Sequence, residues 1–297
     1  LGGLINLISA LIARQGGAPI VFSSSAAVYG ASANKYFEEN DATHPQTPYA
    51  HIKLISEEIL SKCKATPFVS LRYFNVAGAH PSGLIGENWR NSSNLIPSLI
   101  RSAITGEKFK LYGDAYDTPD GTCLRDYVHV SDIARAHASA IDLAVESMTK
   151  EIPHKIFNLG VGRPCSVLEM MIYFERATGK KIDFIVENSR PGDAPILASF
   201  AELAMAELKW KAERTWTEMA ASAWNHAGKE MENTKPVQET IIPEIPKAAI
   251  PVVETSSGPA VIIYHKNIYG IYKREWVDKC LESIRQQTTS AKVYELN

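Results

Sequence analysis

A chain of 297 residues with 45% hydrophobic and 22% charged residues has the balance of a globular protein, with room for one large α/β domain or two ordinary ones. Its net charge of −2 provides no field that would draw nucleic acid or an anionic membrane, so neither is expected as a partner. Cys63, Cys123, Cys165 and Cys280 lie far apart with no C-x-x-C pair, which argues against a structural metal site or a disulfide framework and suits a reducing, cytoplasmic setting.

The longest apolar stretch, Leu4 to Ala13, contains Asn6 and Ser9 and falls short of the ~20 residues a membrane helix needs. Leu4, Leu7, Ile8, Leu11 and Ile12 have helical spacing. The chain thus opens on Leu1, already inside a periodic run, and is expected to be a piece of a longer protein. Ile20 to Phe22 predicts a strand running into Ser23, Ser24 and Ser25. Thr47-Pro48 predicts a helix start, a capping hydroxyl followed by a proline at the first helical position, with the helix continuing to about Cys63. Phe68 to Phe74 reads as a second buried strand. Helix, strand, loop, helix, strand is the alternation of a parallel sheet with crossover helices.

Beyond Gly78 the expected elements are a helix near Leu95 to Ile104, a strand at Tyr127 to Val130, and a helix capped by Ser131 running through Ile133, Ala136 and Ala140. A strand follows at Lys155 to Leu159. Ser166-Val-Leu-Glu169 is a capping box, a strand is expected at Ile182 to Val186, and two short helices are expected to finish near Trp224. Ala227 to Pro259, with five prolines among Lys, Glu and Thr, reads as an extended linker. Ala260 to Tyr264, Glu275 to Gln286 and Lys292 to Leu296 then predict strand, helix, strand.

Tyr49 and Lys53 are four apart and project from one helix face. A tyrosine works as a general base only if its pKa falls from about 10 toward neutrality, which a neighbouring ammonium promotes. Ser25 sits at the carboxyl end of a predicted parallel strand, where open α/β sheets place ligands. The trio suits proton removal from an alcohol during hydride transfer. The Y-x-x-x-K spacing alone is weak, because Tyr269 and Lys273 repeat it without a matching serine.

The surrounding motifs carry a resemblance. Phe22-Ser-Ser-Ser-Ala-Ala-Val-Tyr-Gly30, Pro48-Tyr49-x-x-x-Lys53, Leu71-Arg-Tyr-Phe-Asn-Val-Ala-Gly-Ala-His-Pro81, Asp120-Gly-Thr-Cys-Leu-Arg-Asp-Tyr-Val-His-Val130, Phe157-Asn-Leu-Gly160 and Arg190-Pro-Gly-Asp193 resemble, in order, the UDP-glucose (UDP-galactose) 4-epimerase family. These are extended short-chain dehydrogenases of the NAD-dependent epimerase/dehydratase kind. The resemblance implies an α/β fold: a Rossmann-like parallel sheet lacking its first strands, then a smaller α/β substrate-binding domain. Residues 1–80 would be the partial NAD-binding part, 81–226 mostly the substrate part, 227–259 the linker, and 260–297 the start of a second α/β domain, which resembles the opening of a family-2-like glycosyltransferase.

By the same resemblance, Tyr49 would be the base, Lys53 its partner and a ligand of the nicotinamide ribose, and Ser25 the proton relay. Ser23, Ser24 and Tyr73 would line the NAD site. Asn75, Asn94 and the Leu95 backbone would meet the diphosphate of a UDP-sugar, Arg125 and Arg190 would clamp it, Asp193 would hold the uridine ribose, and Tyr112 would line the uracil slot. The implied reaction is 4-epimerisation through a transient 4-keto sugar on tightly held NAD, in an enzyme expected to be a homodimer. UDP-pentose or UDP-N-acetylhexosamine substrates stay open, as does a non-catalytic scaffold fused to a glycosyltransferase.

Three departures bear on this. The Gly-rich turn expected to cradle the dinucleotide pyrophosphate does not precede Leu1, so these 297 residues alone are expected to bind NAD poorly and to be inactive and unstable. Gly160-x-Gly162-x-x-Cys165 looks like such a turn but lies too late in the chain. Ala26 and Ala27 occupy positions where sugar dehydratases carry an acidic pair, which disfavours dehydration. By alignment from Arg190, Leu197 holds the position that limits bulk at the sugar C2.

Overall fold

The computed structural model describes residues 2–13, 18–30, 36–63, 67–150, 154–190, 192–233, 260–264 and 292–296. Leu1–Ala227 forms one compact unit and Gly228–Asn297 a second.

In the first unit, α1 (Gly2–Ala13) leads to β1 (Ile20–Ser25), a strand ending in the three serines, with Ser25 at its carboxyl end as the sequence predicts. A 3-10 turn, Ala26–Tyr29, and β2 (Tyr36–Phe37) precede α2 (Pro48–Lys62). Thr47 caps α2 as its motif predicts, its hydroxyl accepting from the Ala50 amide at 3.2 Å. Then come β3 (Phe68–Tyr73), β4 (Asn75–Ala77), α3 (Leu95–Thr105), β5 (Phe109–Tyr112), β6 (Leu124–Arg125) and β7 (Tyr127–His129). After α4 (Val130–Lys150) follow β8 (Lys155–Leu159), β9 (Cys165–Ser166), α5 (Val167–Thr178), β10 (Phe184–Glu187), β11 (Ile196–Ser199), α6 (Glu202–Glu207) and α7 (Trp216–Asn233).

Two expectations need correcting. Ser131 does not cap α4, because the helix begins one residue earlier. The His129 ring does the capping, its Nδ1 accepting from the Ser131 amide at 3.0 Å. The last helix does not stop near Trp224. Met219, Ala220, Ala223 and Ala227 keep one face buried, and α7 continues to Asn233, into the segment read as linker. The Ser166 capping box on α5 is present with both of its hydrogen bonds.

Among the described residues, β1, β3 and β8 form a parallel sheet in the order β1-β3-β8. Strand alternation sends odd and even residues to opposite faces. Val69 and Leu71 pack with Ile133, Ala136 and Ala140 of α4. Ser70 and Arg72 turn to the other face, toward α2. There the Arg72 guanidinium grips both oxygens of Glu57, at 3.1 and 2.6 Å, with both side chains 4% exposed. Arg72 also donates to the Tyr29 hydroxyl at 3.0 Å and the Glu39 carbonyl at 3.1 Å. Tyr29 donates on to Asn158 of β8 at 2.7 Å. One buried cation thus ties together α2, the 3-10 turn and the sheet.

The rest of the first unit is built from shorter pieces: β4 beside β7, β5 beside β10, and β2-β11-β6-β9 in a row. Its core centres on Leu99, Leu111, Met170, Phe174 and Met219. In the second unit, β12 (Ala260–Tyr264) and β13 (Lys292–Leu296) pair in parallel. The expected helix at 275–286, and Tyr269 and Lys273, lie outside the described residues. No helix among the described residues is long and apolar enough to cross a membrane.

Arg72→Met leaves Glu57 as a buried, unpaired carboxylate and is expected to cost about 3–5 kcal/mol. The urea midpoint of unfolding measures this, and the double substitution Arg72→Met with Glu57→Met is expected to recover most of the loss.

Candidate active site

Ser25 ends β1 beside Tyr73, which ends β3. Its Oγ accepts from the Ala27 amide at 3.2 Å, which leaves its own proton available to donate. Tyr49 sits in the first turn of α2 and is 53% exposed, so its ring projects out of the fold into reach of a ligand. Lys53, one turn on, places its ammonium 5.5 Å from the centre of the Tyr49 ring and donates to the Ser23 carbonyl at 2.7 Å. No ion pair to Lys53 is found among the described residues, and burial pulls its pKa below the usual lysine value.

Tyr73 lines the same cavity but makes a poor base, since burial pushes its pKa well above the ordinary value. It bonds at 3.0 Å to Nε2 of His137 on α4, which Ser23 Oγ also meets at 3.3 Å. Ser23 and Ser24 part company here. The Ser23 hydroxyl lies on the exposed side, whereas that of Ser24 is buried without a hydrogen-bond partner. Ser24 as a whole is 1% exposed and lines neither cavity described below.

Ser25, Tyr49 and Tyr73 share a cavity of ≈ 330 Å³ with Asn75, Asn94 and Leu95. Those last three also line a second cavity, of ≈ 470 Å³, with Tyr112, Arg125 and Arg190. The two spaces adjoin, sharing these three residues and Tyr127 in their walls; Leu95 is the first residue of α3, where unsatisfied amides favour an anion. Asn94 donates from Nδ2 to Glu87 Oε1 at 2.6 Å, and Ser92 donates to the same oxygen at 2.6 Å.

At the far end, Arg125 donates to the Ala194 carbonyl at 2.7 Å and meets Asp193 at 3.4 Å. The Arg190 guanidinium stacks over the Tyr112 ring, 3.8 Å from its centre. The sequence-predicted residues thus fall into two groups, Ser25, Tyr49 and Tyr73 on the first cavity and Tyr112, Arg125, Arg190 and Asp193 on the second, with Asn75, Asn94 and Leu95 on both; Ser23, Ser24 and Lys53 line neither. Leu197 packs against the cluster of Tyr29, Phe37 and Phe74.

Sequence reasoning passed over Asp126, Glu87 and His137. Asp126 is fully buried, between Arg125 and Tyr127, and accepts from the amides of Val161, Gly162 and Ser199 and from the Ser199 hydroxyl. Burial nevertheless holds its carboxyl above the ordinary aspartate range. The amides of the Gly160–Gly162 loop, with Gly162 at φ +74, therefore serve an internal carboxylate. That is why this loop only resembles a phosphate-binding turn. A charged residue inside the apolar run Tyr127 to Val130 and its flank is the signal that would have pointed to Asp126.

The model for the NAD dependent epimerase/dehydratase family matches residues 1–160, and the chain belongs to that family. UDP-glucose 4-epimerase 4 of Oryza sativa subsp. japonica is 40% identical over 235 residues, covering 77% of this chain and 63% of the relative. The chain thus spans less than two thirds of that relative's length. A UDP-glucose 4-epimerase from Stenotrophomonas maltophila, solved with bound NAD and formylated UDP-arabinopyranose, superposes with a TM-score of 0.73 at 36% identity, covering 78% of this chain and 69% of that one. The Bifidobacterium longum UDP-glucose 4-epimerase, solved with NAD+ and UDP, gives a TM-score of 0.68 at 38% identity, covering 77% and 68%.

Burial lowers the pKa of His129 and of His137 from 6.5. Between the folded and unfolded values the unfolded chain binds more protons, so stability is complete above about 6.5 and falls as the pH drops below it. The thermal midpoint is expected to decline between about pH 7 and about pH 5, and His129→Gln is expected to make that decline shallower.

Proposed function

We propose that this chain carries the catalytic and UDP-sugar-binding residues of an NAD-dependent UDP-glucose/UDP-galactose 4-epimerase. The observation behind this is the pair of adjoining cavities that carry Ser25, Tyr49 and Tyr73 in one and Arg125, Arg190 and Tyr112 in the other, with Leu95 at the α3 N-terminus in the wall of both. Their order of chemistry suits a sugar at one end and a uridine diphosphate at the other.

The nicotinamide end fits the cofactor that the family implies: Lys53 offers an ammonium without an ion pair among the described residues, bonded to the Ser23 carbonyl, and the Ser23 and Tyr73 hydroxyls meet nearby at His137. Bound NAD would supply hydride acceptance at the sugar C4 and hydride return to the opposite face. Tyr49 takes the proton of the 4-hydroxyl with the Lys53 ammonium 5.5 Å from its ring centre, and Ser25 relays that proton with the oxygen held by the Ala27 amide. Arg125 and Arg190 hold the diphosphate while the sugar turns, a task suited to rigid guanidinium groups. Ala26, buried in the turn after Ser25, offers no acid for dehydration.

Leu197 favours tolerance of an N-acetyl group at C2, and the UDP-arabinopyranose in the Stenotrophomonas structure keeps pentose substrates in view. Ile52 and Ile55 are exposed three apart on α2, which supports pairing of two copies through that helix. The parallel β12–β13 pair is what the opening of a glycosyltransferase domain requires. Free Cys63, Cys123 and Cys165 suit the cytoplasm.

In the full-length protein, Tyr49→Phe is expected to lower UDP-glucose/UDP-galactose interconversion by about a thousandfold or more while UDP affinity by calorimetry stays unchanged. An active variant would mean that Tyr49 is not the base. Turnover of UDP-N-acetylglucosamine beside UDP-glucose is expected, and Leu197→Tyr is expected to suppress the acetylated substrate selectively.

A further inference from the structure

His137 belongs to α4, a helix whose neighbouring residues Ile133, Ala136 and Ala140 are core packing. Its ring instead turns to the carboxyl ends of β1 and β3. Nδ1 lies 2.9 Å from the Ile133 carbonyl. A carbonyl only accepts, so Nδ1 carries the ring proton and Nε2 is left as an acceptor with a single in-plane lone pair. Two hydroxyls approach that lone pair: Tyr73 at 3.0 Å and Ser23 at 3.3 Å. The His137 and Tyr73 rings also touch, with centroids 5.6 Å apart. One lone pair supports one well-formed hydrogen bond, and the shorter contact belongs to Tyr73.

We propose that His137 is a positioning residue: its Nε2 accepts from Tyr73 and fixes that ring against the reaction centre, while the Ser23 hydroxyl keeps only a weak hold and turns to the bound cofactor. This rests on the reading of the cleft as an NAD-dependent epimerase site. Burial, by lowering the imidazole pKa, keeps the acceptor nitrogen unprotonated near neutrality. Ser23 and Tyr73 thereby differ in kind: Tyr73 is a fixed wall and Ser23 a movable ligand.

The test uses the full-length protein labelled with 15N-histidine. At neutral pH the His137 signals are expected to show the Nδ1–H tautomer. Tyr73→Phe is expected to shift the Nε2 resonance strongly, and Ser23→Ala is expected to leave it nearly in place. An Nε2–H tautomer, or an equal response to the two substitutions, overturns the assignment. In parallel, His137→Leu is expected to lower kcat about tenfold, with KM for UDP-glucose changed by less than about twofold. His137→Gln, whose amide oxygen can accept from Tyr73, is expected to restore most of kcat. An unchanged kcat in His137→Leu, or a Gln variant as poor as Leu, also overturns it. If the unaltered protein shows neither NAD binding nor epimerisation, the epimerase reading falls instead, and the tautomer experiment still judges the hydrogen bonds.

Discussion

The buried grip of Arg72 on Glu57 is the contact on which the geometry of the cleft depends. A charged pair with both side chains 4% exposed is costly to desolvate, and it persists because the remaining donors and acceptors are also met. Ser70 fills one carboxylate site, and Tyr29 and the Glu39 carbonyl take up the guanidinium. What these bonds achieve is registration. Glu57 lies one helical turn beyond Lys53 on α2, and Arg72 lies one residue before Tyr73 on β3. Fixing the first pair to each other fixes how far the Tyr49–Lys53 helix stands from the strand ends that carry Ser25 and Tyr73.

A second buried carboxylate does the corresponding work beside Arg125. Asp126 follows Arg125 directly and draws the β8–β9 loop and β11 onto itself through four hydrogen bonds. Arg125 is thereby placed at a junction of rigid pieces, although its own strand is only two residues long. Asp132 repeats the device at the start of α4, accepting from the Glu213 and Arg214 amides at 3.0 Å each and so pinning the segment before α7. In each case the acid serves local architecture: Asp126 holds the loop and strand beside Arg125, and Asp132 also pairs with Arg135 at 2.6 Å.

How far the amino-acid sequence revealed this depends on the range of each interaction. Thr47-Pro48 and Ser166–Glu169 were legible because a cap is built from residues within one turn. The Ser25, Tyr49 and Lys53 trio was legible through its motif order. Strands of two residues, such as Tyr36–Phe37 and Leu124–Arg125, have no period to read, and their partners lie far along the chain. Ser131 misled because a hydroxyl before an apolar period is a common helix start, whereas here an imidazole two residues earlier takes the amide. His137 left no trace in the pattern, because a histidine beside a buried helical stripe has the same spacing whether it packs in the core or faces a strand end. Arg72 was a missed opportunity: a guanidinium inside the buried strand Phe68–Tyr73 implies a buried partner.

The order of the sheet has a bearing on how the chain acquires its structure. β8 pairs with β3 in the register Val69↔Lys155, so every residue of β4 through α4 must be threaded out and back before the third strand closes. Tyr29 and Arg72 can meet early in synthesis, but Asn158, which anchors the Tyr29 hydroxyl, emerges only after that long excursion. Contacts so distant in sequence slow folding, since the entropy of the closed loop is lost before the pairing compensates for it. The nascent chain therefore exposes one unpaired flank of β3 while β4 through α4 are being made. This is the interval in which a chaperone would find its binding surface, and in which two nascent copies side by side would be most prone to exchange strands.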